Sequence, residues 1–155
     1  MKTKNFIIKP VALFLATILM MFTLSSCGYK PEPPAENAFE LVMDFAQKTV
    51  GVGETVTYHA ILKNNAHETY TLLCPLKPIY ISVVKAEEVN EENPVFASST
   101  EIDIAPHGQV EEFYEFTPDE EGTYILKAYS AFTIEGKEST KDYFYECKEM
   151  EIIVK

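Results

Sequence analysis

The chain is 155 residues long and carries 24 Asp and Glu against 13 basic residues, all of them Lys, for a formal charge of −11. Nucleic acid is excluded as a natural partner: no guanidinium fork is available for bidentate phosphate contacts, and an acidic domain gains little from counterion release. The length is that of one domain, and a 46% hydrophobic content is enough to build a core.

The first 26 residues read as an export signal. Lys2, Lys4 and Lys9 make a positive front, and residues 11–24 are an uncharged run of 14, short of the roughly 20 apolar residues that cross a bilayer. The run ends in Leu24-Ser25-Ser26-Cys27-Gly28, which resembles the lipobox of bacterial lipoproteins. That chemistry needs a thiol nucleophile, small residues just before it and an apolar residue three places upstream. The resemblance implies acylation of the Cys27 thiol with diacylglycerol and cleavage on its amino side, so that Cys27 becomes the first residue of a mature chain of 129. Loss of three lysines with the signal leaves 10 Lys against 24 acidic residues, a charge of −14. The expected location is outside the cytoplasm, anchored to a bacterial membrane through the lipid on Cys27. Gly28 stands where an Asp would imply inner-membrane retention, so an outer membrane stays open.

Residues 29–38 read YKPEPPAENA, with Pro31, Pro33 and Pro34 close together. Such spacing favours extended polyproline geometry at about 3.1 Å per residue, so ten residues reach roughly 30 Å. Residues 27–38 are therefore expected to form a lipidated tether ahead of a domain over 39–155.

From Phe39 the period is two. Phe39, Leu41, Met43 and Phe45 alternate with Glu40, Val42 and Asp44, and Val56, Tyr58, Ala60 and Leu62 alternate with Thr57, His59 and Ile61. Both read as half-buried strands, separated by the turn at 51–54. Asn64-Asn65 and His67-Glu68 mark another turn before a strand at 70–73, and 79–83 follows through Pro75 and Pro78. A polar stretch at 87–93 precedes short strands at 95–98 and 101–104. After Pro106-His107-Gly108 come strands at 110–116 and 123–132, a hairpin tip near Gly136-Lys137, and closing strands at 143–147 and 150–154. Many short strands with regular turns and no 3.6-residue period indicate an all-β sandwich, with a closed barrel as the alternative.

The segment Glu120-Glu121-Gly122-Thr123-Tyr124-Ile125-Leu126 resembles the tyrosine corner of immunoglobulin-like domains, with an acidic residue, a small residue and a Tyr at every second position. The resemblance implies a Tyr124 hydroxyl bonded to nearby backbone and an immunoglobulin-like antiparallel β-sandwich of about 7–9 strands. Leu126 stands where antibody domains carry Cys, and the chain has no Trp. Gly53-x-x-Val56-x-Tyr58, Leu62-Lys63-Asn64-Asn65, the strand at 78–84, Ala105-Pro106-His107-Gly108 and Gly122-Thr123-Tyr124 are together similar to the BsuPI-type intracellular proteinase inhibitor family. That similarity implies inhibition through an exposed loop, for which 87–94 is the candidate.

Candidate chemistry is sparse. With Cys27 acylated, Cys74 and Cys147 form an even pair in an exported chain and are expected to make one disulfide bridge, two separate buried thiols being the alternative. A bridge would contribute about 4 kcal/mol by constraining the unfolded chain. His59 is expected to face outward and His67 and His107 to lie in turns; no two share metal-ligand spacing, so no metal site is expected. The acidic pairs Glu87-Glu88, Glu91-Glu92 and Glu111-Glu112, and the run Asp119-Glu120-Glu121, read as solvated charge. In Tyr143-Phe144-Tyr145, a ridge with both tyrosines exposed would suit a protein partner at the cell surface. Without a nucleophile elbow, a phosphate-cradling Gly loop or a His-Cys or His-Asp signature, no catalytic residue and no cofactor are expected. The resulting expectation is a lipid-anchored, non-catalytic binding or accessory module. A BsuPI-like protease inhibitor is the alternative, and a metal-binding surface lipoprotein resting on His59 or His67 is a third reading.

Overall fold

Alternation along the chain produces ten strands among the described residues of the computed structural model, which cover 29–44, 47–88 and 100–155. They are β1 (Phe39–Asp44), β2 (Thr49–Val50), β3 (Val56–Asn64), β4 (Tyr70–Cys74), β5 (Tyr80–Lys85), β6 (Thr100–Ile104), β7 (Gln109–Phe116), β8 (Gly122–Glu135), β9 (Thr140–Glu146) and β10 (Met150–Val154). Phe45 and the strand expected at 95–98 lie outside the described residues, as does most of the candidate inhibitory loop at 87–94.

Strand β3 is the middle of a three-stranded antiparallel sheet. It pairs with β1 in the register Phe39↔Asn64 and with β7 in the register Val56↔Phe116. Val56, Tyr58, Ala60, Leu62 and Asn64 point inward and are buried, as period two requires. The second sheet is built around β8, a strand of 14 residues. The first half of β8 lies between β5 (Val83↔Leu126) and β10 (Met150↔Leu126). Its second half lies between β4 (Leu73↔Thr133) and β9 (Thr133↔Asp142). Because partners follow one another end to end along this strand, the strand number rises to ten, above the 7–9 expected.

The layers close on each other through aromatic contacts at both ends: Phe39 meets Phe132 at 5.2 Å between ring centroids, and Phe116 meets Tyr124 at 5.2 Å. Between them Leu62, Leu72, Ile79, Leu126 and Ile152 are fully buried, each contributing about 1.5–3 kcal/mol by leaving water. Two distinct sheets of three and seven strands, rather than one closed sheet, make this a sandwich and not a barrel. The Tyr124 hydroxyl donates to the carbonyl of Glu120 at 3.1 Å, the tyrosine-corner bond of an immunoglobulin-like sandwich.

The proline-rich segment departs from expectation. From Pro31 onward it belongs to the folded unit, lying as a strap along the β8–β9 hairpin. The Glu32 carboxylate accepts from the Glu138 N–H and the Ser139 hydroxyl, both at 2.8 Å. These bonds hold its carboxyl below the usual carboxylate range. The Tyr143 and Tyr145 hydroxyls donate to the carbonyls of Pro34 and Glu36, each at 2.6 Å. At Gly136 a Cβ would lie 2.5 Å from Pro33 Cδ, so only glycine lets the strap pass this close. The condition for an exposed tyrosine ridge is thereby not met. Tyr143 is 2% exposed, burial pushes its hydroxyl up to about 12, and Tyr145 is shifted upward for the same reason. It is Phe144, 43% exposed, that faces out.

Candidate functional site

One end of the sandwich gathers the polar residues that sequence left scattered. Strand β3 ends at Asn64, whose side chain points into the core and is fully buried. A buried amide must find partners, and Asn64 finds them in two loops. Its Nδ2 shares two hydrogens among the carbonyls of Glu68 (2.9 Å), Ala105 (3.0 Å) and Ile104 (3.2 Å), while its Oδ1 accepts from the Ala66 N–H at 3.0 Å. The Asn64 N–H donates to Gly108 O, and the Asn65 N–H donates to Ala38 O at the end of the strap. A single side chain thus fastens the β3–β4 loop to the β6–β7 turn.

The turn Ala105-Pro106-His107-Gly108 closes with a Gly108 N–H to Ala105 O bond of 2.9 Å. His107 has φ 55, the left-handed region, where His is among the few side chains found with any frequency. That backbone carries its ring toward His67 of the β3–β4 loop. His107 Nε2 and His67 Nδ1 are 3.1 Å apart, with the rings edge to face at 4.9 Å. Both side chains are exposed. Sequence spacing concealed the pair because 40 residues separate its members. The antiparallel register Lys63↔Gln109 is what places the two loops side by side.

His59 is elsewhere. It faces outward on the three-stranded sheet, stacked on Phe113 at 4.2 Å and bonded through Nε2 to Glu111 Oε2 at 3.1 Å. Several other carboxylates are paired rather than simply solvated: Glu112 with Lys77 at 2.5 Å, Glu149 with Lys127 at 2.5 Å, and Glu120 with Lys85. Among the described residues no cluster of three or more His, Cys, Asp or Glu is placed to hold a metal. On the outer face of the larger sheet, Tyr80 stacks on Tyr129 at 5.1 Å, and Tyr129 contacts Phe144 at 5.9 Å.

Cys74 and Cys147 are both free, which corrects the expected bridge. Strands β4 and β9 flank β8 on opposite sides, meeting it at the same residue, Thr133. The two cysteines are therefore at least two strand spacings apart, about 9.6 Å, beyond the roughly 7 Å that a disulfide spans. Each thiol has its own neighbour: Cys74 Sγ lies 3.6 Å from Thr100 O, and Cys147 Sγ lies 3.5 Å from Leu41 O. Burial pushes both thiols up, and at Cys147 the Glu146 carboxylate adds to this. Two equivalents of a thiol reagent should therefore label these cysteines in the unfolded protein without prior reduction, with the buried Cys74 protected in the folded state. A 2 Da deficit in the intact mass of the unreduced protein would contradict this.

The signal at 1–26 and Cys27 lie outside the described residues, among which no helix is long and apolar enough to cross a membrane. No protein-family profile matches the chain, and no curated protein matches it. Solved structures do. The CARDB domain of a Pyrococcus furiosus protein, in its solution structure, is 15% identical, covering 76% of this chain and 94% of that one at a TM-score of 0.40. A crystal structure of that domain in complex with di-metal ions is 16% identical, covering 82% and 93% at 0.38. A β-glucosidase from Listeria innocua in complex with isofagomine is 14% identical over 75% of this chain and 16% of its own, at 0.41.

Proposed function

We propose that the protein is a lipid-anchored, extracytoplasmic binding or accessory module without catalytic activity, held to a bacterial membrane by an acylated Cys27. The observation that carries this reading is the lipobox-like Leu24-Ser25-Ser26-Cys27-Gly28, following a short uncharged run and placed only four residues ahead of Pro31, where the folded unit begins. After processing, a charge of −14 favours the domain's standing off from an anionic surface. The immunoglobulin-like fold suits a module that presents loops and sheet faces to a partner, although the fold alone does not name the partner.

Cys27→Ala, expressed in cells fed a labelled fatty acid, should accumulate as an unprocessed precursor with no lipid label. Normal maturation of that variant would overturn the anchor.

A further inference from the structure

We infer that His67 and His107 form a two-imidazole chelate for a divalent transition ion such as Cu²⁺, Ni²⁺ or Zn²⁺. The inference does not depend on the lipid anchor. It rests on the 3.1 Å between His107 Nε2 and His67 Nδ1 and on the way that spacing is held.

Imidazole nitrogens bind these ions at about 2.0–2.1 Å. Two such nitrogens 3.1 Å apart subtend about 100° at a shared ion, between the square-planar and tetrahedral angles that Cu²⁺, Ni²⁺ and Zn²⁺ adopt. The two nitrogens are at hydrogen-bonding distance, with either ring as the donor according to its tautomer. An ion replaces this bond when the donor ring moves its proton to its far nitrogen. His107 then keeps its proton on Nδ1 and His67 keeps its own on Nε2, so two neutral imidazoles bind the ion with no net proton release. Both side chains are exposed, so an ion can reach the two nitrogens from solvent and the rings can turn to meet it.

The loops are not free to drift apart. Asn64 ties the carbonyl of Glu68, next to His67, to those of Ile104 and Ala105 at the start of the turn that holds His107. The left-handed φ of His107 then directs the ring across the gap. The fold has thus met in advance much of the ordering cost of bringing two ligands together. Water completes the coordination, since the described residues place no third ligand with the pair. The chain's net charge of −11 favours a cation in its vicinity.

The test is a calorimetric Ni²⁺ titration of the full chain in detergent, carrying no polyhistidine tag, with amide NMR to locate paramagnetic broadening. Ni²⁺ is chosen because it does not oxidise the free thiols. One ion should bind per chain, with broadening centred on 66–68 and 106–108. His67→Ala and His107→Ala should each weaken binding about 10²-fold through loss of the second linked contact, while His59→Ala should leave it unchanged. His107→Gly, which fits φ 55 without strain, gives the same readout should His107→Ala fail to fold. No wild-type binding at millimolar Ni²⁺ would overturn the chelate. So would unchanged affinity in His67→Ala or His107→Gly, or loss of binding in His59→Ala alone.

Discussion

Phe132→Ala should lower the unfolding free energy by about 4 kcal/mol, in the middle of the range for aromatic truncation in a core. Phe132 is fully buried in the second half of β8 and touches both layers. Its ring lies 5.2 Å from Phe39 of the smaller sheet and 5.3 and 6.0 Å from Tyr143 and Tyr145 on β9. Truncation leaves a cavity lined by rings that cannot collapse into it without shifting β1 or β9, so both the transfer and the cavity costs are incurred. The two tyrosines also hold the strap at Pro34 and Glu36. Urea unfolding should accordingly show a lower midpoint, and amide exchange at Glu138, which bonds to Glu32, should accelerate. Phe113→Ala is the matched control. That ring is 60% exposed on the opposite layer and should cost under about 1 kcal/mol. A loss at Phe132 no larger than at Phe113 would show that the layers do not meet where the aromatic contacts place them.

What sequence could reveal here follows the range of each interaction. The alternation in β3 and the Glu120-Gly122-Tyr124 spacing of the tyrosine corner are local patterns, and the strands and the 3.1 Å bond they foretold are present. The strap is different. Pro31, Pro33 and Pro34 have the composition of a solvated spacer, and nothing near them discloses that Glu32 meets Glu138 and Ser139, 106 and 107 residues on. The same partners decide Tyr143-Phe144-Tyr145. Period two requires the tyrosines to share a face, but only the presence of Pro34 and Glu36 on that face makes it the covered one. Parity arithmetic on Cys74 and Cys147 failed for a topological reason, because an even count carries no information about which side of β8 each thiol occupies. His67 and His107 had no ligand spacing in sequence because their proximity is set by the pairing of β3 with β7.

Asn64→Leu should cost about 3 kcal/mol, through loss of several hydrogen bonds worth about 1 kcal/mol each and the orphaning of carbonyls that they served. Leu is similar in volume, so the loss reports the amide rather than a cavity. The carbonyls of Glu68, Ile104 and Ala105 and the N–H of Ala66 each lose their bond to the amide at once, with Ala105 O keeping the Gly108 N–H. Asn64→Asp separates the two ends of the amide. It keeps an acceptor for Ala66 but sets a carboxylate against three carbonyls in a buried place, which raises the folded-state pKa of the new acid above its unfolded value of about 3.9. A group raised in this way leaves the variant most stable below that unfolded value, with stability falling as pH rises toward the folded-state pKa. Unfolding of Asn64→Asp should therefore become easier from pH 4 to pH 7, whereas Asn64→Leu should show no such added dependence. Parallel pH profiles for the two variants, or a loss under about 1 kcal/mol in Asn64→Leu, would mean that the β3–β4 loop and the β6–β7 turn are joined by something other than this side chain. If Asn64 does join them, Asn64→Leu also loosens the 3.1 Å spacing of His67 and His107, and weaker Ni²⁺ binding should accompany the loss of stability although neither imidazole has been changed.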